Sequence, residues 1–294
     1  MKAELKRAEK ILEGIALPSR PTVMLEVIKA QNAFAPDPRK VTEIIRRDLV
    51  LASEILREAN TELNGFNRKV ATIEQAVLLL GIERVHKVVS RLFLSTTLIG
   101  KDGPLQDIRL HAVNTGLASA YLAEALLGVS PVCKSGFLPA IPPEEAYVLG
   151  LFHDCGLAIF MQKFADYGAF HKEVKKSGET RLIQAEEERY RTNHCLVGYQ
   201  LCESWQLPEH LCQVVRVHHQ ARTFTKAGSK VKNRRAATLQ GILNIAEGIC
   251  DQFSSQEWNH LQGEVLSFFD IGEGDLAALQ DGARAVIRSS LEAH

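Results

Sequence analysis

Apolar positions along the chain recur at intervals of three and four, and sustained alternation is almost absent. That spacing is the period of an amphipathic helix, so the pattern predicts an all-α architecture. After Pro21, which suits a first helical turn, residues 22–33 place Val23, Val27 and Ile28 on one stripe, and Pro36, Asp37 and Pro38 break it. Val41, Ile44, Ile45, Leu49, Ala52 and Leu56 carry the pattern on to Asn60, with Asp48 as either a kink or a new helix start. Asn64 and Gly65 make the next turn. Thr72, with Gln75 three residues on, forms a capping box ahead of Ala76, Val77, Leu79 and Leu80, and Gly81 marks a C-terminus or a sharp bend.

Breakers crowd at Gly100, Asp102, Gly103 and Pro104, which predicts a boundary between an N-terminal helical lobe, 1–104, and a second helical lobe, 105–294. Beyond it, helices are expected over 108–127, 158–176, 180–191, 194–205, 209–219, 236–253, 256–269 and from 275 to the end. The proline-rich 129–143 and the polar 222–235 read as loops, and Glu144 and Glu145 sit where a helix N-terminus favours acidic charge.

Composition narrows the partners. The 294 residues are 46% hydrophobic, ample for a sizeable core, and 35 basic side chains balance 35 acidic ones. A net charge of zero gives no long-range attraction to nucleic acid or anionic lipid, so neither nucleic acid nor membrane is expected as a partner. No apolar run reaches the ~18 residues of a membrane span, and MKAELKRAEK lacks the apolar centre of a signal peptide, so a soluble, cytoplasmic protein is expected. Six cysteines, none in C-x-x-C spacing, read as reduced core thiols, with Cys195 and Cys202 seven apart on one helix face.

Candidate chemistry concentrates in the second lobe. His153 and Asp154 are adjacent at a helix end and are followed by Cys155-Gly156. Adjacent helical residues diverge by ~100°, so the two can serve one ion only if the helix stops there and the site lies off its end. His111, His194, His218, His219 and Glu247 fall on other predicted helices, and imidazoles and carboxylates meeting in a bundle core suit a transition metal. Fe, Mn or Zn, as one or two ions, is the expected cofactor. By contrast, His86, His171, His210, His260 and His294 read as ordinary core or surface residues, and Asp251 as surface. Glu186, Glu187 and Glu188 read as a solvated helix face, and Arg222, Lys226, Lys230, Lys232, Arg234 and Arg235 as a solvated basic loop.

An ordered series of short motifs resembles a known family. Leu17-Pro18 with Pro21, Ile45 through Asp48, Leu56, Ala59-Asn60-Thr61, Gly65, Thr72 through Ala76 and Leu79-Leu80-Gly81 resemble the N-terminal half of the HDOD domain of bacterial signalling proteins. Leu110-His111, 146–156, 194–198, Trp205, Leu207-Pro208 and 214–219 extend the resemblance over roughly residues 15–220. It implies a helical bundle packed on a degenerate HD-type domain. The parent superfamily holds metal-dependent phosphohydrolases, and by that resemblance His111, His153, Asp154 and Glu247 match one metal's ligands, with His194, His218 and His219 similar to the extra histidines of two-metal members.

The same resemblance exposes two departures. Active relatives often carry Lys after the glycine of the His-Asp motif, where this chain has Leu157. Glu247 stands where the final Asp would be, its extra methylene moving the carboxylate outward by ~1.5 Å. The expectation is therefore a non-catalytic signalling output module that contacts a signalling protein and retains a metal cluster. The alternative is a phosphohydrolase acting on a nucleotide or cyclic dinucleotide. No receiver, kinase or DNA-binding segment is read in the chain, so the input is expected from another molecule.

Overall fold

In the computed structural model, the described residues are 2–13, 26, 27, 30, 37–62, 69–96, 105–127, 132–133, 136–177, 182–204, 207–219, 234–251 and 256–292. Apart from one minimal strand pair, the regular elements among them are helices, in the all-α class that the period predicts.

The first part of the chain folds as α1 (Lys2–Leu12), α2 (Pro38–Ile45), α3 (Leu49–Glu62) and α4 (Ile73–Thr96). Asp48 is a new start and not a kink: its carboxylate, buried, accepts from the backbone N–H of Val50 and Leu51, both at 2.9 Å, satisfying two of the orphan donors that open α3. Thr72 Oγ1 accepts from Gln75 N at 3.2 Å in the same way ahead of α4. Gly81 takes φ +71°, which bends α4 in the middle of its apolar run, as the glycine predicts. Most of the stripe at 22–33 and the breakers at 97–104 lie outside the described residues.

The second part opens with α5 (Leu105–Leu127), followed by α6 (Pro143–Phe152), α7 (Cys155–Lys163), α8 (Tyr167–Ser177), α9 (Leu182–Tyr190), α10 (His194–Ser204), α11 (Glu209–Val217), α12 (Arg234–Cys250), α13 (Gln256–Phe269) and α14 (Glu273–Glu292). Two expectations change in detail. The loop expected over 129–143 contains a two-residue antiparallel pairing, β1 (Val132–Cys133) with β2 (Gly136–Phe137). The single helix expected over 158–176 is two, because the chain turns at Phe164, which adopts φ −119°, ψ 107°. Phe160, Phe164, Tyr167 and Tyr190 pack their rings around that turn, so tertiary burial overrides the continuous helical period.

One continuous apolar core runs through both parts. The helix pair α5 and α6 forms its axis, with α12 and α14 against α5 and the α7–α10–α11 group beside α6. Helix α1 is seated on α10 and α7. Two glycines permit close backbone-to-backbone crossings beside the site. A Cβ on Gly150 would come within 2.7 Å of the Thr115 carbonyl, and a Cβ on Gly156 within 2.0 Å of the His194 carbonyl. The second crossing brings the start of α7 directly against the start of α10.

Candidate metal centre

The short link between α6 and α7 is the hinge of the site. Helix α6 ends at Phe152, His153 is its C-cap, and Asp154 leaves helical geometry at φ −104°, ψ 17° before α7 begins at Cys155. Helix termination thus directs both side chains off the end of α6, the arrangement that adjacent residues need to share a site. Helix α5 contributes His111, the first residue of α10 is His194, the end of α11 gives His218 and His219, and α12 gives Glu247.

Asp154 stands between two groups of imidazoles. Its Oδ2 is 3.3 Å from His153 Nε2 and 3.9 Å from His111 Nε2. Its Oδ1 is 3.5 Å from both His194 Nε2 and His218 Nε2. Glu247 Oε1 approaches His153 Nε2 at 3.5 Å, and His219 Nε2 approaches His194 Nε2 at 3.0 Å. All seven sequence candidates therefore converge, despite originating on separate helices.

The far sides of the rings are anchored. His153 Nδ1 donates to the Gly150 carbonyl and His218 Nδ1 to the Val215 carbonyl, each at 2.7 Å. His194 Nδ1 lies 2.8 Å from the Glu186 carboxylate, which also accepts the His194 backbone N–H at 2.8 Å and the Tyr167 hydroxyl. Gln240 and Asn244 of α12 donate to the Val217 and His218 carbonyls, both at 3.0 Å, and so fix the end of α11. Anchoring Nδ1 leaves Nε2 as the inward atom, the usual second-sphere device of a metal-ligating histidine.

Those inward atoms are not satisfied within the protein. His153 Nε2, His218 Nε2 and Asp154 Oδ1 are buried without a hydrogen-bond partner. Because buried polar atoms are normally paired, three orphans aimed at one another fit a cation that would accept their lone pairs. Side chains of His111, His153 and Asp154 meet the spacing of one ion, and those of His194, Cys195, His218 and His219 the spacing of another. Asp154, Glu247 and His111 retain 12%, 18% and 26% of their side-chain surface, so the cluster is open on one side.

Burial and charge compete in setting protonation here. Burial pushes His111 down, with His153 adding to the effect. Burial would also lower His153, His194 and His218, yet all three are raised: by Asp154 for His153, by Cys195 and Glu186 for His194, and by Cys195 and Asp154 for His218. Burial would raise Asp154, but His153 and its neighbours hold it well below the ordinary carboxylate range. Cys195, for which burial acts upward, is brought down to about 6 by His194 and His218.

Three sequence readings are corrected. Glu186 is wholly buried and not part of a solvated face. Leu182, Glu186 and Tyr190 recur every four residues, so the helical spacing that turns Leu182 and Tyr190 toward the core also turns Glu186 inward. Cys195 faces the imidazoles, although Cys202 does pack as expected, its sulphur 3.9 Å from that of Cys155. Arg235 is no solvated loop residue: it donates to Glu145, to which His210 also donates at 2.7 Å. Arg222, Lys226, Lys230 and Lys232 lie outside the described residues, as do His294 and the side chain of His86.

A family model described as the HDOD domain matches residues 17–221. The chain belongs to the HDOD domain family. Among solved structures, the MmoQ response regulator of Methylococcus capsulatus str. Bath aligns with a TM-score of 0.65 and 21% identity, over 91% of this chain and 98% of that one. A virulence factor of Campylobacter jejuni subsp. jejuni, cj0248, aligns at 0.63 with 17% identity, over 97% and 99%. At such identities the likeness is one of fold. An uncharacterised protein of Treponema pallidum (strain Nichols) is 21% identical over 203 residues, 69% of this chain and 37% of the relative. The YuxH protein of Bacillus subtilis (strain 168) is 30% identical over 78 residues, 26% of this chain and 19% of the relative. The match thus spans well under half the length of either curated relative. Among the described residues, no helix of this HDOD chain is long and apolar enough to cross a membrane.

Proposed function

We propose that this HDOD protein is a signal-transduction output module that works through contact with a signalling protein and keeps an HD-type metal centre without using it for turnover. His111, His153, Asp154 and Glu247 would hold one ion, and His194, His218 and His219, with Asp154 shared, a second. Fe, Mn or Zn suits such mixed imidazole and carboxylate donors. When bound, such an ion supplies Lewis acidity toward a phosphoryl oxygen. The observation that carries the non-catalytic reading lies one turn from the ligands: Leu157, where the family resemblance leads one to look for Lys, is 5% exposed and part of the apolar core. A buried leucine offers nothing to the charge of a phosphate, whereas phosphoryl transfer depends on such electrostatic stabilisation. The likeness to a response regulator supports the signalling context.

A second reading, a phosphohydrolase acting on a nucleotide or cyclic dinucleotide, is favoured by one feature, the carboxylate of Asp154 shared between two imidazole groups. Metal analysis of the purified protein, followed by incubation of the Mn²⁺-loaded protein with cyclic dinucleotides and mononucleotides, separates the two. The expected result is metal uptake that raises the melting temperature, without turnover. Turnover above the ~1 s⁻¹ lower end for enzymes, abolished by Asp154→Ala, would reverse the assignment.

A further inference from the structure

The family's ligand pattern of histidines and carboxylates leaves out one side chain of the second cluster. Cys195 follows His194 at the start of α10, is 2% exposed, and places its sulphur 3.4 Å from His194 Nε2 and 3.8 Å from His218 Nδ1. Its Sγ and a ring nitrogen from each of His194, His218 and His219 all lie within 4.8 Å of one another. In a tetrahedral zinc site, bond lengths of about 2.0–2.1 Å to nitrogen and 2.3 Å to sulphur put two nitrogens about 3.4 Å apart, and a nitrogen and a sulphur about 3.6 Å apart. The 3.0 Å between the His194 and His219 Nε2 atoms and the 3.4 Å between His194 Nε2 and Cys195 Sγ are close to those spacings. Buried thiols with a packing role contact apolar groups or one another, as Cys155 and Cys202 do. Cys195 instead abuts His194 Nε2, the inward ring nitrogen that also faces Asp154 and His219, and lies beside the His218 ring, whose inward Nε2 is unpaired.

We propose that Cys195 is a thiolate ligand of the ion held by His194, His218 and His219, and that it makes this centre select Zn²⁺ over Mn²⁺ or Mg²⁺. The inference rests on the reading that the cluster binds metal, and it adds a ligand and the class of ion. On coordination the thiol proton passes to solvent and the sulphur lone pair to the ion, with no change of oxidation state. A soft sulphur donor raises affinity for borderline ions far more than for hard ones. The centre formed by His111, His153, Asp154 and Glu247 has imidazole and carboxylate donors alone and gains no such preference, so the two halves of the site are chemically distinct.

The test is a titration of the metal-free full chain with Co²⁺, a spectroscopic substitute for Zn²⁺. The expected result is visible ligand-field absorption together with a near-ultraviolet thiolate-to-cobalt charge-transfer band, both removed by Zn²⁺. Cys195→Ser should keep the visible absorption and lose the charge-transfer band. Zn²⁺ affinity, read by competition with a chromophoric chelator, should fall at least about 10-fold in that variant, with a smaller change for Mn²⁺. Visible absorption without the charge-transfer band in the wild type, or a band that survives Cys195→Ser, overturns the assignment and leaves the metal reading standing. No cobalt absorption at all overturns both. If Cys195→Ser does not fold, the decision passes to serine variants of the other five cysteines: a band present in every one supports the assignment, and its loss in any one overturns it.

Discussion

Glu186 offers the sharpest test of the site's construction, because it was expected on the surface and is wholly buried. Its carboxylate accepts three hydrogen bonds: from the backbone N–H and Nδ1–H of His194, each at 2.8 Å, and from the Tyr167 hydroxyl. Truncation to alanine removes the acceptor and strands three buried donors. Leaving one buried group unsatisfied costs about 1–3 kcal/mol, and breaking a buried charged pair about 3–5 kcal/mol, so with losses that do not simply add the expected cost is about 3–5 kcal/mol. For a chain of this size each kcal/mol shifts the melting temperature by about 2–3 °C, which makes Glu186→Ala melt roughly 6–15 °C below the wild type.

The conservative variant tests the reason. Both His194 bonds go to the same oxygen, Oε2. In Glu186→Gln the amide oxygen can occupy that position and accept both, while only the Tyr167 contact must turn around. Glutamine is therefore expected to retain more than half of the melting temperature that alanine loses. Thermal melts followed by circular dichroism, with and without added Zn²⁺, give both numbers. Freed from its anchor, His194 should also bind metal about 10–100-fold more weakly in the alanine variant. An alanine variant that melts within about 2 °C of the wild type, or a glutamine variant as damaged as alanine, would refute the hydrogen-bond account.

Two further outcomes follow from other parts of the site. Gly156→Ala places a methyl group 2.0 Å from the His194 carbonyl oxygen and 2.9 Å from Gly198 N, so α7 must move off α10; a loss of about 1–3 kcal/mol and weaker metal binding are expected, read by melting and by competition titration. For Glu145, burial pushes its carboxyl up, but the hydrogen bonds from His210 and Arg235 win and hold it below 4.5. A lowered carboxyl contributes stability that is present above pH 4.5 and is lost as pH falls through the lower folded value. Glu145→Gln should therefore flatten the acid limb of a melting-temperature profile while lowering the plateau; an unchanged acid limb would remove Glu145 from the account.

The architecture and the convergence of the seven candidate side chains were both legible in the order of residues, for reasons that differ. Helices announce themselves through a local period, and Gln256–Phe269, for example, falls where the period puts it. Candidate ligands announce themselves through residue type: for His153-Asp154 ahead of Gly156 to share a site a helix end is needed, and the chain supplies one. What escaped was every partner whose role depends on the direction a side chain takes. Glu186 sits in a run of three acids whose charge reads as solvated, and only its four-residue spacing from Leu182 and Tyr190 singles it out as the one that turns inward. Cys195 shares a helix with Cys202, yet one sulphur meets imidazoles and the other meets Cys155. Arg235 belongs to a basic cluster, and only the approach of α12 to α6 gives it Glu145. The break at Phe164 escaped for the opposite reason: the helical period runs on through it, and only the packing of four aromatic rings stops the helix there.

The way the candidate ligands are wired would also give a reason to keep them in the non-catalytic module proposed above. Each inward Nε2 is held by an Nδ1 contact belonging to a different piece of the fold: the last turn of α6 for His153, the last turn of α11 for His218, and Glu186 of α9 for His194. A cation shared through Asp154 would join α5, α6, α9, α10, α11 and α12 at one point. Without it, three buried polar atoms remain unpaired, at about 1–3 kcal/mol each. The metal-bound and metal-free chains should therefore differ by several kcal/mol in how firmly these helices are held together, on the scale by which ligands shift folding equilibria. For an output module, that coupling is itself useful. The α7–α10–α11 group, against which α1 is also seated, would be tightened by metal and loosened by its removal, so metal occupancy can alter the surface offered to a partner with no bond in any substrate being broken.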